Sequence, residues 1–372
     1  MMRRMTTIMM AVLLAVGAMA FQAAAEPVAK PDSLSRSLLG FFTEMEEMSA
    51  PSWLVPGMRV VYKIRNEDYV DPEKSTQGYL IYDVVDVKGG YVASTMGTSH
   101  ETDGKPTGLM FGSVLMDVPT VGRFWITPEL FDENRVAKDK YALFYNTKIK
   151  IQGKEYDAMF IAFESQTASR TAAYDKESGL LLAIEMTVTD SEGKPKEGST
   201  IEFLGVRLSF PAWYEENLTG LSTGTTLSYK AVYRMGGVSE EQGMVLKVLE
   251  NNGTWALIER VSLSSKGELS SFQLLSSSAS GDVYVIWLPT QLLADMREGD
   301  IAFEEDLTGS LVKVMGIAED LEFGAVRKLL FIDNAVHTEC SFSLKTGYMV
   351  RMHQLPIAEG IPEVEFILSS VK

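Results

Sequence analysis

Three histidines are the side chains best suited to acid–base chemistry or metal binding near neutral pH, because the unperturbed pKa of imidazole lies close to that range. They are His100, His337 and His353. His100 stands in the polar run SHETDGKP, whose composition indicates a loop. A hairpin is predicted at Phe342–Leu355, with Gly347 in its turn; His337 precedes this stretch and His353 lies within it. Of the three histidines, only His337 and His353 can be brought together by local structure.

The turn suggests a register in which His337 faces His353 and Glu339 faces Arg351. All four side chains then share one surface, opposite the surface that carries Cys340. Two imidazoles and a carboxylate are a possible Zn²⁺ ligand set. A solvent-facing polar surface that binds no metal is the interpretation we favour, because Glu339 and Arg351 form an ion pair in this register.

Two other patterns resemble catalytic signatures. Gly220–Gly224 reads G-x-S-x-G, which is a nucleophile elbow only between a buried strand and a helix. Here a strand follows, which predicts a loop. The pairs Glu46-Glu47, Glu240-Glu241 and Glu304-Glu305 are adjacent in sequence, so the two side chains of each pair point apart. We therefore predict no catalytic residue, metal or cofactor. A hydrolase or metal-dependent enzyme that uses His337 or His353 is the alternative.

The predicted hairpin occurs twice in the chain. The runs YDKESGL and FSLKTGY each place an aromatic residue before a polar turn that ends in glycine. Tyr174 is predicted to pair with Leu180, and Phe342 with Tyr348, in the same register. Each glycine stands where the turn requires a positive φ.

Other landmarks repeat at almost the same spacing. Trp53 and Trp213 are 160 residues apart, and Trp125 and Trp287 are 162 apart. The offsets drift by only a few residues and keep one order along the chain. They indicate an ancient internal duplication.

Period-two alternation of apolar residues predicts strands through both repeats. The sequence therefore predicts a mainly β protein with two tandem antiparallel β domains, at residues 51–210 and 211–372. Each domain is expected to be a curved sheet or half-barrel with one short inserted helix, after Thr127 in the first and after Pro289 in the second. A sandwich is the alternative.

The amino-terminal residues predict export. Residues 1–25 read as a cleaved signal peptide, with two arginines, an apolar run and an Ala-Ala-Ala cleavage site. Residues 26–50 read as a polar leader followed by an amphipathic helix. The cleavage site lacks the cysteine of a bacterial lipoprotein, and no second apolar span follows. We expect a soluble periplasmic or secreted protein without a transmembrane anchor.

Charge and cysteine content limit the partners. The chain has 34 basic and 50 acidic residues. Removing the two signal-peptide arginines gives 32 against 50, a net charge of −18. Such a balance argues against binding to nucleic acid or to anionic membranes. Cys340 is alone, which excludes an intramolecular disulfide, and its position predicts a small core residue.

The signal peptide, the curved sheets and the inserted helices together resemble the periplasmic lipoprotein carriers. That resemblance implies acyl chains held in a half-barrel. Trp125 and Trp287 each stand just before a short helix and are predicted to pack that helix onto its own sheet. In the alternative interpretation, the tryptophan and the helix form a movable lid over an apolar groove. The residues expected to line it are Trp125, Leu130, Phe131, Trp287, Leu292 and Leu293. The predicted function is an exported, non-catalytic binding module for an apolar ligand, such as a lipid, or for an envelope protein. A structural scaffold of the envelope is a further alternative.

Overall fold

The computed structural model describes residues 49–102, 105–131, 142–164, 167–208, 210–214, 216, 218–264, 267–276, 286–306, 309–332, 336–357 and 362–372. The predicted signal peptide and almost all of the predicted leader and amphipathic helix, residues 1–48, lie outside the described residues. No helix in the described ranges is long and apolar enough to cross a membrane.

The described residues form two separate antiparallel sheets. The first contains β1 (Met58–Asp68), β2 (Thr76–Lys88), β3 (Tyr91–Thr102), β4 (Lys105–Asp117), β5 (Ala142–Ile151), β6 (Lys154–Glu164), β7 (Ala168–Asp175), β8 (Leu181–Thr189) and β9 (Pro195–Leu208). The second contains β10 (Thr226–Met235), β11 (Val238–Asn251), β12 (Trp255–Ser264), β13 (Gly267–Ser276), β14 (Ile301–Glu305), β15 (Ser310–Asp320), β16 (Gly324–Ile332), β17 (Val336–Ser343), β18 (Met349–Pro356) and β19 (Glu363–Val371). The mainly β prediction with two antiparallel units is confirmed.

Strand order is the same in both sheets, except that the second sheet has one more strand, β14, at its edge. The first runs β4-β3-β2-β1-β9-β8-β7-β6-β5, and the second runs β13-β12-β11-β10-β19-β18-β17-β16-β15-β14. In each, four strands form a meander to one edge, and the chain then crosses to the opposite edge. A second meander returns until the last strand pairs with the first. Each half is one continuous sheet, so the sandwich alternative, which needs two sheets per half, is wrong.

A short helix lies within each crossing, as predicted. A 3-10 helix spans Pro128–Phe131, and the α-helix α1 spans Thr290–Asp295. A further 3-10 helix, Pro72–Lys74, links β1 to β2. Each crossing must pass over one face of its sheet, because the strands on either side of it lie at opposite edges. The crossing is therefore what fills that face.

The first sheet must curve around its crossing. Strands in a sheet lie about 4.8 Å apart, so nine flat strands would span roughly 40 Å. Yet one apolar cluster contains Leu115 of β4, Met159 of β6 and Trp125 of the crossing. Alternation decides which side chains enter it: Val60 and Tyr62 of β1 point into the cluster, and the residues between them point to the convex face.

The two hairpins share a register, as predicted, but the predicted pairs are wrong. Tyr174 pairs with Leu181 rather than Leu180, and Phe342 pairs with Met349 rather than Tyr348. In each hairpin a bulge lies immediately before the aromatic residue, which shifts all pairs beyond it by one more position. The bulge is repeated in the two sheets, so it is part of the shared design.

The two sheets contact each other through their convex sides. Val85 and Ala93 of the first sheet form a small apolar cluster with Trp255 and Leu274 of the second. Beside it, Trp255 Nε1 donates a hydrogen bond to Asp86 Oδ2 at 2.8 Å. The contact is therefore apolar at its centre, with a charged hydrogen bond across it.

A buried ion cluster forms a second contact between the sheets. The guanidinium of Arg59 on β1 donates to both carboxylate oxygens of Asp83 on β2, at 2.8 and 3.0 Å. Arg59 also lies 3.4 Å from Glu305 of β14 and stacks over the ring of Phe303. All three charged side chains are buried. Burial makes the geometry of this cluster important, because an unpaired charge here would be poorly solvated.

Candidate binding site

The predicted binding residues lie on two chain segments that cross the concave faces. We call them the first crossing segment (residues 118–131) and the second crossing segment (286–296). The first carries Trp125 and the 3-10 helix, and the second carries Trp287 and α1. The sequence-based placement of a tryptophan and a helix over each concave face is thus what the structure shows.

The crossing segments are joined to the hairpins by equivalent contacts. Trp125 forms a bridge with Leu180, and Trp287 forms one with Tyr348. Four backbone hydrogen bonds complete these contacts, two in each sheet: Ile126 N to Gly179 O at 2.8 Å, Leu181 N to Phe124 O at 3.0 Å, Leu288 N to Gly347 O at 3.0 Å, and Met349 N to Ile286 O at 2.9 Å. Each crossing segment is therefore attached to the sheet as an additional short strand.

The predicted lining residues are core residues in this structure. Trp125 and Leu130 have no exposed surface, Phe131 is 8% exposed, and all three belong to the cluster of the first sheet. Trp287 is 6% exposed and Leu293 is fully buried in the cluster of the second sheet, with Leu292 packed against it. The crossing segments thus fill the concave faces with the chain's own side chains.

Glycines allow the crossing segments to lie this close. A side chain at Gly122 would overlap the ring of Trp125, and one at Gly220 would overlap the ring of Trp287. In the turns, a side chain at Gly179 would strike the backbone oxygen of Ile126, and one at Gly347 would strike that of Leu288. Sequence reasoning identified the turn glycines by φ and missed this second constraint.

The indole N–H groups are used differently in the two sheets. The carbonyl of Ser178 accepts a hydrogen bond from Trp53 at 2.6 Å, whereas the equivalent carbonyl of Thr346 accepts one from Trp287 at 3.0 Å. Trp125 donates to Pro119 O at 3.1 Å. Trp213 is buried, and its Nε1 has no partner among the described residues. The equivalent carbonyls of Ser178 and Thr346 both accept a hydrogen bond from an indole N–H, but the tryptophans that donate it are not equivalent.

An arginine anchors α1 to the second sheet. Arg327 of β16 is buried, and its Nε donates to the carbonyl of Leu293 at 2.8 Å. Its Nη2 lies 3.5 Å from the carbonyl of Ala294. These carbonyls belong to the last turn of α1, where no helical N–H follows to satisfy them. The equivalent position on β6 holds Met159, which also points into the core.

Charge converges on the tyrosines of the first concave face. Burial raises the pKa of Tyr174 to about 12, and the charge of Arg170 acts in the opposite direction. Burial likewise raises the pKa of Tyr82, against the charge of Arg123. Arg123 belongs to the first crossing segment, and its buried Nε has no hydrogen-bond partner in the described part of the chain. Two cations and one carboxylate, that of Asp117, therefore lie near this phenolic surface.

The predicted histidine pair does not form. His337 lies opposite Leu355, and His353 lies opposite Glu339, because the turn and the bulge each shift the register by one residue. His353 Nε2 is 3.0 Å from Glu363 Oε1, and this contact is the main cause of the lowered pKa of Glu363. The four side chains still share the surface opposite Cys340, as predicted, and His353 is partly exposed there.

The predicted ion pair between Glu339 and Arg351 is also wrong. Glu339 instead binds Lys328 at 2.7 Å, and Arg351 binds Asp320 at 3.1 Å. Within the described ranges, no three His, Cys, Asp or Glu side chains are placed so that they could hold one metal ion. The surface is a network of cross-strand ion pairs.

The other catalytic-looking patterns lie apart from any such cluster. Gly220–Gly224 leads into β10, so the predicted loop is confirmed; within it Leu221 is buried and Ser222 is exposed. His100, predicted to lie in a loop, is in β3 opposite Thr107 of β4. Glu304 is exposed while Glu305 is buried against Arg59, because neighbouring residues of a strand face opposite sides.

Comparisons with known proteins give only distant structural likeness. The sequence matches no protein family, and no curated protein is similar to it. The fold is similar to that of MucB in complex with MucA(peri), at 10% identity and a TM-score of 0.24, over 85% of this chain and 89% of that one. It is also similar to the Pseudomonas aeruginosa MucA/MucB complex, at 13% identity and a TM-score of 0.23, over 58% and 87%. A DUF3598-family protein of unknown function from Nostoc punctiforme is similar at 11% identity and a TM-score of 0.15, over 84% and 95%. At such TM-scores the likeness carries no inference about function.

Proposed function

We propose that the chain is an exported, non-catalytic binding protein that binds a protein partner in the cell envelope. The observation that supports this most directly is the filling of both concave faces. Trp125, Leu130 and Leu293 are buried, and both crossing segments are attached to their hairpins by backbone hydrogen bonds. An apolar ligand would have to displace side chains that already occupy the groove.

A partner can instead use the outer surface without unfolding the core. Large apolar side chains are exposed there, among them Leu143, Tyr145 and Phe272. Leu143 and Tyr145 are neighbours on one face of β5. Contiguous exposed apolar residues mark surfaces that contact other proteins, whereas single ones are ordinary. Recognition at such surfaces needs no change in either crossing segment.

Native mass spectrometry of the protein purified from the periplasm of its own cells tests this function. We expect the mass of the chain after removal of residues 1–25, together with a stoichiometric complex that contains a second polypeptide. A chain that carries bound lipid in stoichiometric amount and no polypeptide would contradict the proposal. Recovery of the uncleaved chain in the membrane fraction would contradict its export.

A second candidate function is the binding of an apolar ligand with an anionic head group at the first concave face. The observation that favours it is the unpaired, buried Nε of Arg123 beside Tyr82, with Arg170 nearby. An arginine in an apolar surrounding is a strong partner for a carboxylate or phosphate.

Titration with oleate, followed by tryptophan fluorescence, distinguishes the two functions. If the second function holds, binding is saturable and Arg123→Gln weakens it about tenfold, the loss of one charge-assisted hydrogen bond. Gly193→Ala, at an open turn, is the matched control. Absence of saturable binding removes the second candidate and leaves the first.

A further inference from the structure

The turn between β11 and β12 contains an acceptor sequence for N-linked glycosylation. Asn252-Gly253-Thr254 has the form Asn-x-Thr, in which x is any residue except proline. The chain has this form once more, at Asn217-Leu218-Thr219, and in both places a glutamate stands two residues before the asparagine. Asn217 lies outside the described residues, whereas every residue of the turn at Asn252 is described. The structure therefore shows how Asn252 is presented to solvent.

The turn holds Asn252 in one orientation and leaves it at the surface. Asn252 and Thr254 are both exposed. The side-chain oxygen of Asn252 accepts hydrogen bonds from Thr254 N at 3.1 Å, from Thr254 Oγ1 at 3.1 Å and from Trp255 N at 2.9 Å. Because two of these donors are backbone N–H groups, the accepting atom must be the oxygen of the amide. Its partner Nδ2, the atom that receives a glycan, donates no hydrogen bond to any described part of the chain.

A neighbouring hydrogen bond protects the same amide from spontaneous loss. An asparagine that precedes glycine deamidates when the backbone nitrogen of the glycine attacks the side-chain carbonyl carbon. Here that nitrogen, Gly253 N, donates a hydrogen bond to Asn251 Oδ1 at 2.7 Å. Asn251 is itself held in place, because its Nδ2 donates to the carbonyl of Leu218 at 2.9 Å. The amide of Asn252 is thus preserved for an enzyme that approaches from solvent.

We propose that Asn252 is an N-glycosylation site of the exported chain. The glycan donor is an oligosaccharide carried on a polyprenyl diphosphate. In the transfer, Asn252 Nδ2 forms a bond to the anomeric carbon of the first sugar, and the bond from that carbon to the diphosphate breaks. The proton that Nδ2 loses passes to a base of the transferase. Thr254 supplies the hydroxyl by which such a transferase recognises its acceptor.

The proposal rests on the export that the proposed function includes, because this modification belongs to secreted proteins. A glycan is bulky and hydrophilic. Trp255, which follows the turn, is buried against Val85 and Ala93 of the first sheet, so the glycan lies beside the contact between the sheets without entering it. Its bulk excludes a protein partner from this turn, and the partner must therefore bind elsewhere on the outer surface.

Peptide mass spectrometry of the chain purified from its own cells tests the proposal. Trypsin should release Val248–Arg260, which contains Asn252 and not Asn217. We expect this peptide to carry a glycan on Asn252, and the intact mass to exceed that of the chain without residues 1–25 by the mass of the glycan. Thr254→Ala should abolish the modification. Thr254→Ser, the matched control, keeps the hydroxyl and should retain it. Circular dichroism of both variants confirms that the sheets are intact.

Three results would overturn the proposal. A glycan that persists in Thr254→Ala, or that is found only on the peptide containing Asn217, assigns the modification to another residue. Conversion of Asn252 to aspartate or isoaspartate without any sugar shows that the amide is lost by deamidation. If the chain lacks residues 1–25 and has its polypeptide partner but Asn252 is unmodified, the proposed function stands and this inference fails. A chain that retains residues 1–25 contradicts export, and both then fail.

Discussion

Gly179 and Gly347 are the residues at which the backbone of the two hairpins leaves no room for a side chain. Both have positive φ, +75° and +77°, and both would direct a Cβ at a carbonyl oxygen of a crossing segment. The sequence predicts the positive φ, because a polar turn ends at each glycine. It cannot predict the clash, because the carbonyls belong to residues more than 50 positions earlier in the chain.

Gly179→Ala should lower the free energy of unfolding by more than about 3 kcal/mol. Left-handed φ alone costs alanine about 1–2 kcal/mol, and the clash with Ile126 adds to it. Gly193→Ala is the control, since Gly193 has φ of +79° and open space around it. Urea denaturation of both variants checks the prediction. Equal losses of stability in the two variants would show that the first crossing segment can move away from the added side chain at no energetic cost.

Cys340 should be unreactive in the folded protein. The thiol is fully buried on β17, and burial raises its pKa, so the reactive thiolate is suppressed. We expect labelling by a thiol reagent to occur only at the rate at which the second sheet opens, and to become immediate in denaturant. Rapid labelling under native conditions would contradict the burial of β17. The sequence predicts this core position correctly from alternation alone.

At the scale of elements, the strands with regular alternation are predictable and the bulges are not. Ile184, Met186 and Val188 alternate regularly and identify β8 from the sequence, and the Gly236-Gly237 turn identifies the end of β10. The bulge before Phe342 depends on how the second crossing segment contacts the hairpin, so local spacing does not reveal it. That extra residue and the one-residue shift at the turn together separate His337 from His353.

The strands β4 and β14 were also missing from the sequence-based prediction. β4 contains Pro106, Gly108 and Gly112, which interrupt its apolar pattern, and pairing with β3 overrides that weak propensity. β14 has only five residues, fewer than alternation needs to be recognised.

Arg327→Met should loosen α1 without disrupting the second sheet. The change introduces the residue that the first sheet has at the equivalent position and removes the donor to Leu293 O. Loss of one buried, charged hydrogen bond costs about 1.5–3 kcal/mol. We expect lower stability in urea and faster exchange of the amides of α1, with slow exchange retained in β17. An unchanged α1 would show that apolar packing alone holds the helix.

At the scale of the whole molecule, the contact between the sheets depends on pH. Burial by itself raises the pKa of Asp86, but hydrogen bonds from Trp255, Lys88 and Tyr91 outweigh it, so the pKa lies below its usual value. Folding is then favoured above the unfolded pKa of about 3.9, and this contribution disappears as pH falls through the lowered folded value.

Trp255→Phe should therefore destabilise the protein at pH 7 and much less at acidic pH. Phenylalanine keeps apolar contact with Val85 but cannot donate to Asp86, so the pKa of Asp86 moves back towards its usual value. We expect a loss of about 1.5–3 kcal/mol at pH 7 that shrinks as the pH falls below the unfolded pKa of about 3.9. Thermal unfolding across this range tests it. A loss that does not vary with pH would assign the effect to packing.

Arg59→Met should be more damaging, because it leaves Asp83 and Glu305 buried without their shared cation. Breaking a buried ion cluster in this way costs about 3–5 kcal/mol. Arg65→Met, at an exposed position on the same face of β1, is the control and should be nearly neutral. Differential scanning calorimetry should show a lower transition only for the first variant. Similar behaviour of both would mean that the sheets hold together without the cluster.

Each sheet begins and ends at neighbouring strands, and this arrangement determines how the protein responds to mechanical force. Met58 pairs with Leu208, and Leu227 pairs with Val371, so the two ends of each sheet lie side by side. Tension applied through those ends peels β1 from β9, or β10 from β19, one hydrogen bond at a time instead of shearing many together. Each half should extend at low force from its middle outward, and its crossing segment should detach when the hairpin to which it is hydrogen-bonded opens.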